Sequence, residues 1–380
     1  MQMLFGHGTY RDERCVKASD VIVVGGGING MMSACKLVQD GFQVTLVERG
    51  QCAREASWAG GGILIPLYPW RYADPIARLD ALAAPQWTDL ANMLASATGI
   101  DPQYTPHGIM HARVEDDQNA RAWSARHNDM LTSLGSSQAH TCLGQLTTTS
   151  LEPAFWISGR GSIRTPRLGQ ALRQWLMDHP HATLVEHFEV TSLLSAGGRI
   201  QGVAGSQGRY LAPRVVMAGG PWTRELMARH VSLPITPVRG QMLLFRPERP
   251  LLRAVMLMNG FYLIPRQDHH ILAGSTFENA GFDRTTTVEG YAQIHAKALE
   301  MLPALKDIEV THHWAGLRPG SPGSVPFVGA VNDVEGLYVN AGHGGNGVVL
   351  SPATADLLCA HIKGTTPSVD PAPYTLPDSG

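Results

Sequence analysis

The sequence predicts an α/β fold, α+β overall, with one parallel sheet assembled from discontinuous segments and a second, mainly antiparallel sheet. Three observations lead to this prediction. A complete strand–turn–helix–strand unit occupies residues 21–48. Short apolar strands, "VVMAGG" and "GLYVNAG", return near residues 215 and 337. Between them, residues 243–276 alternate apolar and polar side chains as antiparallel strands do, with "GFYLIPR" and "HILAGST" as expected neighbours.

The first unit begins with Val21 to Val24, a continuously apolar run typical of a buried parallel strand. Apolar residues at helical spacing follow, and Gly41 stands where that helix would end. The second strand, "QVTLVE", ends on Glu48. Further along, a helix is expected to about residue 98, and another to enter through Thr165 with Pro166 at its first position.

Composition limits the classes of function. The chain has 380 residues, 44% hydrophobic and 16% charged, which indicates a globular protein of two or three domains. A net charge of −2 offers no basic face for nucleic acid. No apolar run approaches the roughly 20 residues of a membrane span, and the first 19 residues lack the apolar core of a secretory signal.

The cysteines and histidines favour neither disulfides nor a metal site. No C-x-x-C pair occurs, so we expect reduced thiols in a cytoplasmic protein, at Cys15, Cys35, Cys52, Cys142 and Cys359. The pairs His269–His270 and His312–His313 are adjacent residues that would point to opposite faces of a strand. We therefore predict that the chain binds no metal.

The glycine cluster after the first strand predicts a dinucleotide site. Gly25, Gly27 and Gly30 have G-x-G-x-x-G spacing, which provides a tight turn, a close approach to pyrophosphate and close helix–strand packing. Glu48 lies 18 residues beyond Gly30, near the spacing of an acid that binds an adenosine ribose. That acid would repel the 2′-phosphate of NADP. The extended small-residue loop "REASWAGGGIL" and the long β-rich region that follows favour FAD over NAD.

A second cluster at Gly342, Gly344 and Gly347 has the same spacing. No strand ending in an acid follows its helix, expected from about Gly347 to Ile362, so a second dinucleotide is not predicted. The glycines either fit a turn or, as we favour, present N–H groups capped by Asn346 to the electron-rich edge of the same flavin. Both regions of the chain would then bind one cofactor.

Several motifs together are similar to a known family. They are "VIVVGGGINGMMSACKL", "REASWAGGGILIPLYPWRY", "TPRLGQAL", "GFYLIPR", "HWAGLRPGSPGSVPFVG" and "NAGHGGNGVVLSPA". The chain resembles the FAD-dependent glycine oxidases of the thiamine-biosynthetic type, in the D-amino-acid oxidase superfamily, from about residue 20 to residue 373. That resemblance implies a Rossmann-like FAD-binding domain built from discontinuous segments, and a mainly antiparallel β substrate-binding domain.

The domain boundaries follow from this resemblance. The FAD-binding domain would comprise residues 20–95, 151–235 and 312–366, and the substrate-binding domain residues 96–150 and 236–311. Residues 1–19 would be an N-terminal extension and residues 367–380 a C-terminal tail.

The resemblance also implies oxidation of a small amino acid (glycine, sarcosine, D-alanine or D-proline) to an imine that hydrolyses to a 2-oxo acid, with O2 reduced to H2O2. In the thiamine pathway the imine itself would be handed on. A homo-oligomer is expected.

Matching motifs imply the site residues. Arg318 would bind the substrate carboxylate and Tyr262 would assist it. The alternative for Arg318 is a structural role in a turn, and the alternative for Tyr262 is an ordinary place in the hydrophobic core. No catalytic acid or base is expected, because the flavin accepts the hydride. Besides the first glycines and Glu48, cofactor contacts are implied for Ile28, Asn29, Arg49, Ala56, Ser57, Gly61, Gly62, Ile63, Val190, Gly219, His343, Gly344, Gly345, Asn346, Gly347, Val348 and Val349.

The sequence departs from this family at one place. Many members carry an aromatic residue and an arginine where this chain has Gly344 and Gly345. Strict specificity for glycine is therefore not implied. A D-amino-acid dehydrogenase that reduces a quinone and a non-catalytic flavin-binding subunit remain alternatives. Trp70 and Arg71 either cover the flavin or pack between domains.

Overall fold

The computed structural model describes residues 19–128, 130–144, 150–205 and 207–377, so the predicted N-terminal extension, and Cys15 with it, lies almost entirely outside the described residues. The strands are β1 (Val21–Val24), β2 (Val44–Val47), β3 (Ile109–Ala112), β4 (Thr132–Leu134), β5 (Ala154–Ile157), β6 (Ala182–Val185), β7 (Val190–Ala196), β8 (Arg199–Gly205), β9 (Gly208–Leu211), β10 (Val215–Met217), β11 (Thr236–Phe245), β12 (Val255–Met258), β13 (Phe261–Pro265), β14 (Ile271–Gly274), β15 (Val310–Gly320), β16 (Phe327–Ala330) and β17 (Leu337–Ala341).

The helices in the same ranges are α1 (Ile28–Gln39), α2 (Ala56–Ala59), α3 (Asp74–Ala83), α4 (Gln86–Thr98), α5 (Asp117–Arg126), α6 (Ser136–Leu143), α7 (Thr165–Asp178), α8 (Thr223–Met227), α9 (Val288–Met301) and α10 (Ser351–Lys363). None of them combines the length and apolar composition needed to cross a bilayer.

The first sheet has six strands in the order β16–β17–β10–β1–β2–β6. All neighbours are parallel except β16, which pairs antiparallel with β17. Strands β1 and β2 are buried throughout, as their sequences rich in β-branched residues predict for a parallel sheet covered on two faces. Helix α1 packs against α10 on one face, and Nδ2 of Asn340 in β17 donates to Oγ of Ser33 in α1 at 2.9 Å.

The parallel strands bring distant segments to one edge. Because β1, β2, β10 and β17 run in one direction, the residues after them meet at their carboxyl ends: Gly25, Glu48, Ala218 and Gly342. Gly25 has φ +113°, and a Cβ there would collide with the carbonyl of Ala218. The predicted tight turn therefore needs glycine for two reasons, backbone conformation and close approach. The carboxyl edge of an open α/β sheet is where ligands bind.

The second sheet has eight strands in the order β15–β11–β14–β13–β12–β3–β5–β4. Every pair is antiparallel except β12 with β3. The predicted pairing of "GFYLIPR" with "HILAGST" is confirmed by β13 and β14. Helix α9 packs against β11, β13 and β14. The opposite face of this sheet carries Met242 and Tyr262 toward the first sheet.

Two segments of the predicted FAD-binding domain contribute strands to the eight-stranded sheet. Strand β5 pairs with β3 and β4. Strand β15 pairs with β11 along its whole length, from Thr236 opposite Gly320 to Phe245 opposite Val310. The physical reason is the same: backbone hydrogen bonding to a partner far away in sequence fixes each strand.

Two predictions near the C-terminal end also need correction. Helix α10 begins at Ser351 rather than at about Gly347, and Leu350 occupies the N-cap position without a side-chain cap. Residues 344–346 form a short 3-10 turn instead. Part of the predicted tail is well packed: the Tyr374 side chain is fully buried, and its hydroxyl donates to the carbonyl of Pro75 at 2.7 Å.

Candidate active site

A cavity of about 390 Å³ runs along the carboxyl edge of the parallel sheet and reaches the eight-stranded sheet. Its wall contains nearly every residue that the sequence predicts for the site. These are Gly25, Gly27, Ile28, Asn29, Glu48, Arg49, Ala56, Ser57, Gly61, Gly62, Ile63, Val190, Gly219, Tyr262, Arg318, His343, Gly344, Gly345, Asn346, Gly347 and Val348.

Two residues from the predicted set lie outside the wall. Gly30 is buried in the first turn of α1, where a Cβ would collide with the carbonyl of Gly25. It therefore serves the close helix–strand packing predicted for it. Val349 is buried in the core beside α10, and its carbonyl accepts from Nε1 of Trp87 at 3.4 Å. The structure thus places Val349 behind the residues that line the cavity.

Glu48 lines the cavity directly after β2. Its Oε2 accepts from the backbone N–H of Gly26 at 2.7 Å, and its Oε1 accepts from that of Gly50 at 2.9 Å. These bonds hold the carboxylate beside the glycine turn, at the end of β2. Next to it, the Arg49 guanidinium lies 3.6 Å from the ring centre of Trp222 and pairs with Glu55 at 3.0 Å.

The small-residue loop around α2 is held rigidly along the cavity. Oγ of Ser57 accepts from the N–H of Ile28 at 2.9 Å, which ties this loop to the start of α1. Thr165 Oγ1 donates to the carbonyl of Gly60 at 2.7 Å. Trp314 Nε1 donates to the carbonyl of Ala59 at 3.2 Å. Residues from α7 and β15 therefore fix the backbone of this loop.

Sequence reasoning missed Arg266, which follows β13. Its Nη2 donates to the carbonyl of Gly61 at 2.8 Å and its Nη1 to that of Ile163 at 3.3 Å. Burial, together with repulsion from Arg164, lowers the pKa of Arg266 to about 10, so it remains a cation at neutral pH. The arginine was visible in the motif "FYLIPR", but nothing in its spacing indicates a contact with Gly61.

The segment after β17 forms the inner wall. His343 is buried, its ring nitrogen lies 3.2 Å from Oγ1 of Thr354, and burial lowers its pKa to about 3. The imidazole is therefore neutral. Asn346 does not cap a helix as predicted; its side chain is buried, and Nδ2 has no hydrogen-bond partner among the described residues.

Arg318 lies in β15 at the boundary between the two sheets. Its Nη2 donates to Oγ of Ser275 at 2.6 Å, and its Nη1 donates to the carbonyl of Thr276 at 3.2 Å. Within the described ranges it forms no ion pair with a carboxylate, unlike Arg239 on the neighbouring strand. The Tyr262 side chain is buried on the same wall, and its hydroxyl lies 3.4 Å from Sδ of Met242.

A network of polar and charged side chains lies next to Arg318. Arg239 donates to Oε2 of Glu278 from Nε at 2.8 Å and from Nη2 at 2.6 Å, and to Asp283 from Nη1 at 2.7 Å. Burial would raise the pKa of Glu278, but hydrogen bonds from Thr276, Gln241 and Arg239 outweigh it and lower that pKa. The Glu278 carboxylate is thus neutralised by Arg239 rather than by Arg318.

Trp70 and Arg71 do not line the cavity. Both donate to Asp116: Trp70 from Nε1 at 3.0 Å, and Arg71 from Nε and Nη2 at 2.8 and 2.7 Å. The Trp70 ring also contacts Tyr68 and His111. Of the two possibilities considered for these residues, the structure supports packing.

The cavity fits a long polar cofactor. Asn29 Oδ1, Asn340 Oδ1 and Asn346 Nδ2 are buried in its wall without a protein partner in the described chain, so each can hydrogen-bond a ligand. The glycine turn after β1 leaves room for pyrophosphate at the start of α1. Across the described ranges no group of three or more His, Cys, Asp or Glu side chains is arranged to hold a metal ion.

Comparison with known proteins agrees with this geometry. The family model described as "FAD dependent oxidoreductase" matches residues 20–361. The chain is 41% identical to a glycine oxidase of Pseudomonas aeruginosa over 93% of this chain and 97% of the other, and 39% identical to one of Pseudomonas putida over 94% and 98%.

A solved glycine oxidase structure from Geobacillus kaustophilus superposes with a TM-score of 0.90 at 27% identity, over 95% of this chain and 99% of the other. The predicted α/β fold, with a Rossmann-like parallel sheet and a separate, mainly antiparallel sheet, is therefore confirmed, as is the predicted FAD cofactor. The chain is a flavoprotein oxidase that binds FAD and belongs to the family of FAD-dependent oxidoreductases related to D-amino-acid oxidase.

Proposed function

We propose that the protein oxidises the amine of glycine and of small amino acids such as sarcosine, D-alanine and D-proline. Glycine or D-alanine with O2 and water would give a 2-oxo acid, ammonia and H2O2, and sarcosine would release methylamine in place of ammonia. The cyclic imine formed from D-proline would add water to give one molecule that carries both the amine and the 2-oxo acid. The observation that carries this proposal is Arg318, a cation in the cavity wall that lacks a carboxylate partner among the described residues. The carboxylate of a bound substrate would supply the missing partner of Arg318.

Arg318 suits the role because its guanidinium is already oriented. Nη2 donates to Oγ of Ser275, and Nη1 donates to the carbonyls of Thr276 and Arg239 at 3.2 and 3.4 Å. The Arg318 side chain lines the cavity, so its N–H groups outside these bonds would be the ones to meet a carboxylate. A planar guanidinium binds a carboxylate through two parallel hydrogen bonds. The carboxylate would then place the α-carbon beside Tyr262 and the loop of Gly61, which are in van der Waals reach of each other.

The side chains of this wall orient the substrate rather than exchange protons with it. FAD, when bound, supplies the hydride acceptor. His343 is neutral and buried, so it holds its backbone segment in place and carries no proton into the site. Correct placement of the α-carbon contributes much of the rate in such a reaction. Asn29, Asn346 and the residues of the glycine turn would hold the cofactor.

The proposed electron acceptor is O2, and the imine product would be available to thiamine biosynthesis. A relative supports the second point: the bifunctional protein ThiO/ThiG of Synechocystis is 31% identical over 90% of this chain, which spans 51% of that longer protein. A quinone-reducing dehydrogenase is the competing function.

A substrate panel tests the proposal. Purified holoprotein is mixed anaerobically with glycine, sarcosine, D-alanine or D-proline, and flavin absorbance near 450 nm is followed before air is admitted. We expect bleaching by at least one of them, then recovery with release of H2O2. Bleaching that is reversed only by an added quinone or dye would identify a dehydrogenase. If no amino acid bleaches the flavin, the proposed function is wrong.

A further inference from the structure

We propose that Arg266 is a positioning residue for the flavin, on which it acts through the peptide bond between Gly61 and Gly62. Arg266 does not line the cavity itself. From behind the wall it orients this peptide, and its charge favours the reduced form of bound FAD. Neither effect concerns the binding of an amino acid, so the inference goes beyond the proposed function.

Alternate residues at the end of β13 hold Gly61 in place. Tyr262, Ile264 and Arg266 are two positions apart, so their side chains leave the strand on the same face. A Cβ on Gly61 would lie 2.9 Å from Cδ1 of Ile264 and 3.2 Å from Cε2 of Tyr262, so both side chains pack against this glycine. Nη2 of Arg266 donates to the carbonyl of the same residue at 2.8 Å.

That hydrogen bond sets the direction of the peptide between Gly61 and Gly62. The peptide is trans, since both cis peptide bonds in the described chain lie elsewhere. In a trans peptide the N–H points to the side opposite the carbonyl, so the N–H of Gly62 points away from Arg266.

The N–H of Gly62 is available to a ligand. Gly62 lines the cavity, and within the described ranges its N–H donates to no other residue. Its carbonyl accepts from the N–H of Ile163 at 2.8 Å, and Nη1 of Arg266 donates to the carbonyl of Ile163 at 3.3 Å. Arg266 thus fixes this part of the wall through two backbone segments, and FAD would supply the acceptor for Gly62.

The charge of Arg266 has no counter-ion. The nearby carboxylate of Asp268 pairs with Arg164 at 2.7 Å and contacts His270 at 3.1 Å. Among the described residues Arg266 forms no ion pair, and its side-chain hydrogen bonds go to two backbone carbonyls. The residue is also partly buried. A desolvated cation without a counter-ion costs free energy, which indicates a use for its charge.

Reduction of the flavin supplies that use. The amino acid loses a hydride and one proton when it becomes an imine. The hydride carries two electrons and one proton, so its transfer adds one negative charge to bound FAD. A cation close to the cavity lowers the free energy of the more negative, reduced form. Arg266 therefore shifts the equilibrium toward reduction.

Three replacements of Arg266 separate its charge from its hydrogen bonds. Arg266→Lys keeps the charge and a donor, Arg266→Gln keeps a donor only, and Arg266→Met keeps neither. The control is the double variant Arg160→Met with Asp80→Asn. Arg160 donates to the carbonyl of Leu64 in the same loop at 3.3 Å, but it pairs with Asp80 at 2.7 Å, so the double variant leaves the net charge unchanged.

The midpoint potential of bound FAD is measured by equilibration with a redox dye, which requires no amino acid. In Arg266→Met and Arg266→Gln we expect the ratio of reduced to oxidised flavin to fall about tenfold, which makes the potential about 30 mV more negative. Arg266→Lys and the control should keep the wild-type potential.

The hydrogen bonds are tested by titration of each apoprotein with FAD, followed by flavin fluorescence. We expect the Kd to rise about tenfold in Arg266→Met, because the Gly61 carbonyl loses its donor, and to change little in Arg266→Gln. If Arg266→Met is isolated without FAD, the potentials of Arg266→Lys and Arg266→Gln decide, since both side chains donate and only lysine is charged.

Equal potentials in Arg266→Lys and Arg266→Gln overturn the inference, as does the same shift in the control. Bleaching by glycine would in that case leave the proposed function standing. Conversely, the expected shift in potential without bleaching by any amino acid would support the role of Arg266 and refute the proposed function.

Discussion

Nη2 of Arg318 and Oγ of Ser275 form a hydrogen bond of 2.6 Å that joins the end of β15 to the residue after β14. The strands that carry them are separated by β11. The guanidinium therefore spans the backbone of β11, where Gly240 leaves space for it: a Cβ at Gly240 would collide with the Arg318 side chain. This arrangement fixes the direction of the cation before any ligand binds.

Loss of that cation is the most direct test of the candidate site. For Arg318→Leu we expect kcat/KM to fall by about 100-fold or more, since each hydrogen bond to a charged group contributes about 1.5–3 kcal/mol. Steady-state kinetics with glycine measures this. The bound flavin should keep its absorbance. Arg318→Lys, which retains the charge but not the planar fork, should be intermediate. Kinetics unchanged from those of the wild-type protein would show that Arg318 does not bind the substrate.

The ion pair behind Arg318 should act on substrate binding indirectly. In Arg239→Met, the Glu278 carboxylate loses its partner next to the segment that holds Arg318. We expect KM to rise more than kcat falls, because the freed carboxylate competes for Arg318. The double variant Arg239→Met with Glu278→Gln should recover part of the loss, because residue 278 then carries no charge that competes for Arg318, whereas Asp283, the other partner of Arg239, is half exposed to water. A merely structural pair would give no such recovery in KM.

Adding a second cation should strengthen carboxylate binding. The backbone of Gly345 does not have the positive φ that would disfavour a side chain. A Cβ added at this position would have Cδ of Arg318 as its nearest neighbour, at 3.9 Å. We expect Gly345→Arg to lower KM for glycine by about tenfold, through one more charged hydrogen bond. Gly345→Met has comparable length without charge and should give no such gain. If Gly345→Arg and Gly345→Met change KM equally, the change is caused by the volume of the new side chain and not by its charge.

The cluster of Trp70, Arg71 and Asp116 should make stability depend on pH. Hydrogen bonds from Arg71 and Trp70, which outweigh the opposing effect of burial, lower the pKa of Asp116 to about 2. A carboxylate with a lowered pKa stabilises the fold above its unfolded pKa, and this contribution disappears as the pH falls from about 4 to about 2.

Urea unfolding of Asp116→Asn near neutral pH and near pH 2 measures that contribution. We expect a loss of about 1 kcal/mol at neutral pH, the size usual for a partly exposed pair, and a much smaller difference in acid. Asp333→Asn, at an exposed site outside the cluster, is the control. A difference that persists in acid would show that the pair does not depend on this ionisation.

The parallel sheet could be predicted from local sequence. Runs such as Val21–Val24 and "VVMAGG" are apolar enough to identify buried strands, and parallel direction then places the residues after them at one edge. The glycine turn and Glu48 were located in this way. The pairing of β13 with β14 was accessible because a short turn joins them.

What escaped prediction depends on contacts between residues distant in sequence. Strand β15 is only partly buried and has no apolar run, so its place in the second sheet is decided by β11, about seventy residues earlier. Arg266 meets the carbonyl of Gly61 only once both sheets have assembled. The start of α10 was misplaced because Asn346, a common N-cap residue, sits in a 3-10 turn instead.

The convergence of β1 and β17 on one edge has a consequence for biosynthesis. The glycine turn at Gly25 leaves the ribosome early, whereas the wall formed by His343 to Val348 is translated after most of the chain. A nascent polypeptide that ends before β17 lacks one side of the cavity, so we expect cofactor binding to follow synthesis of that strand. A chain truncated before Leu337 should therefore be purified without bound FAD.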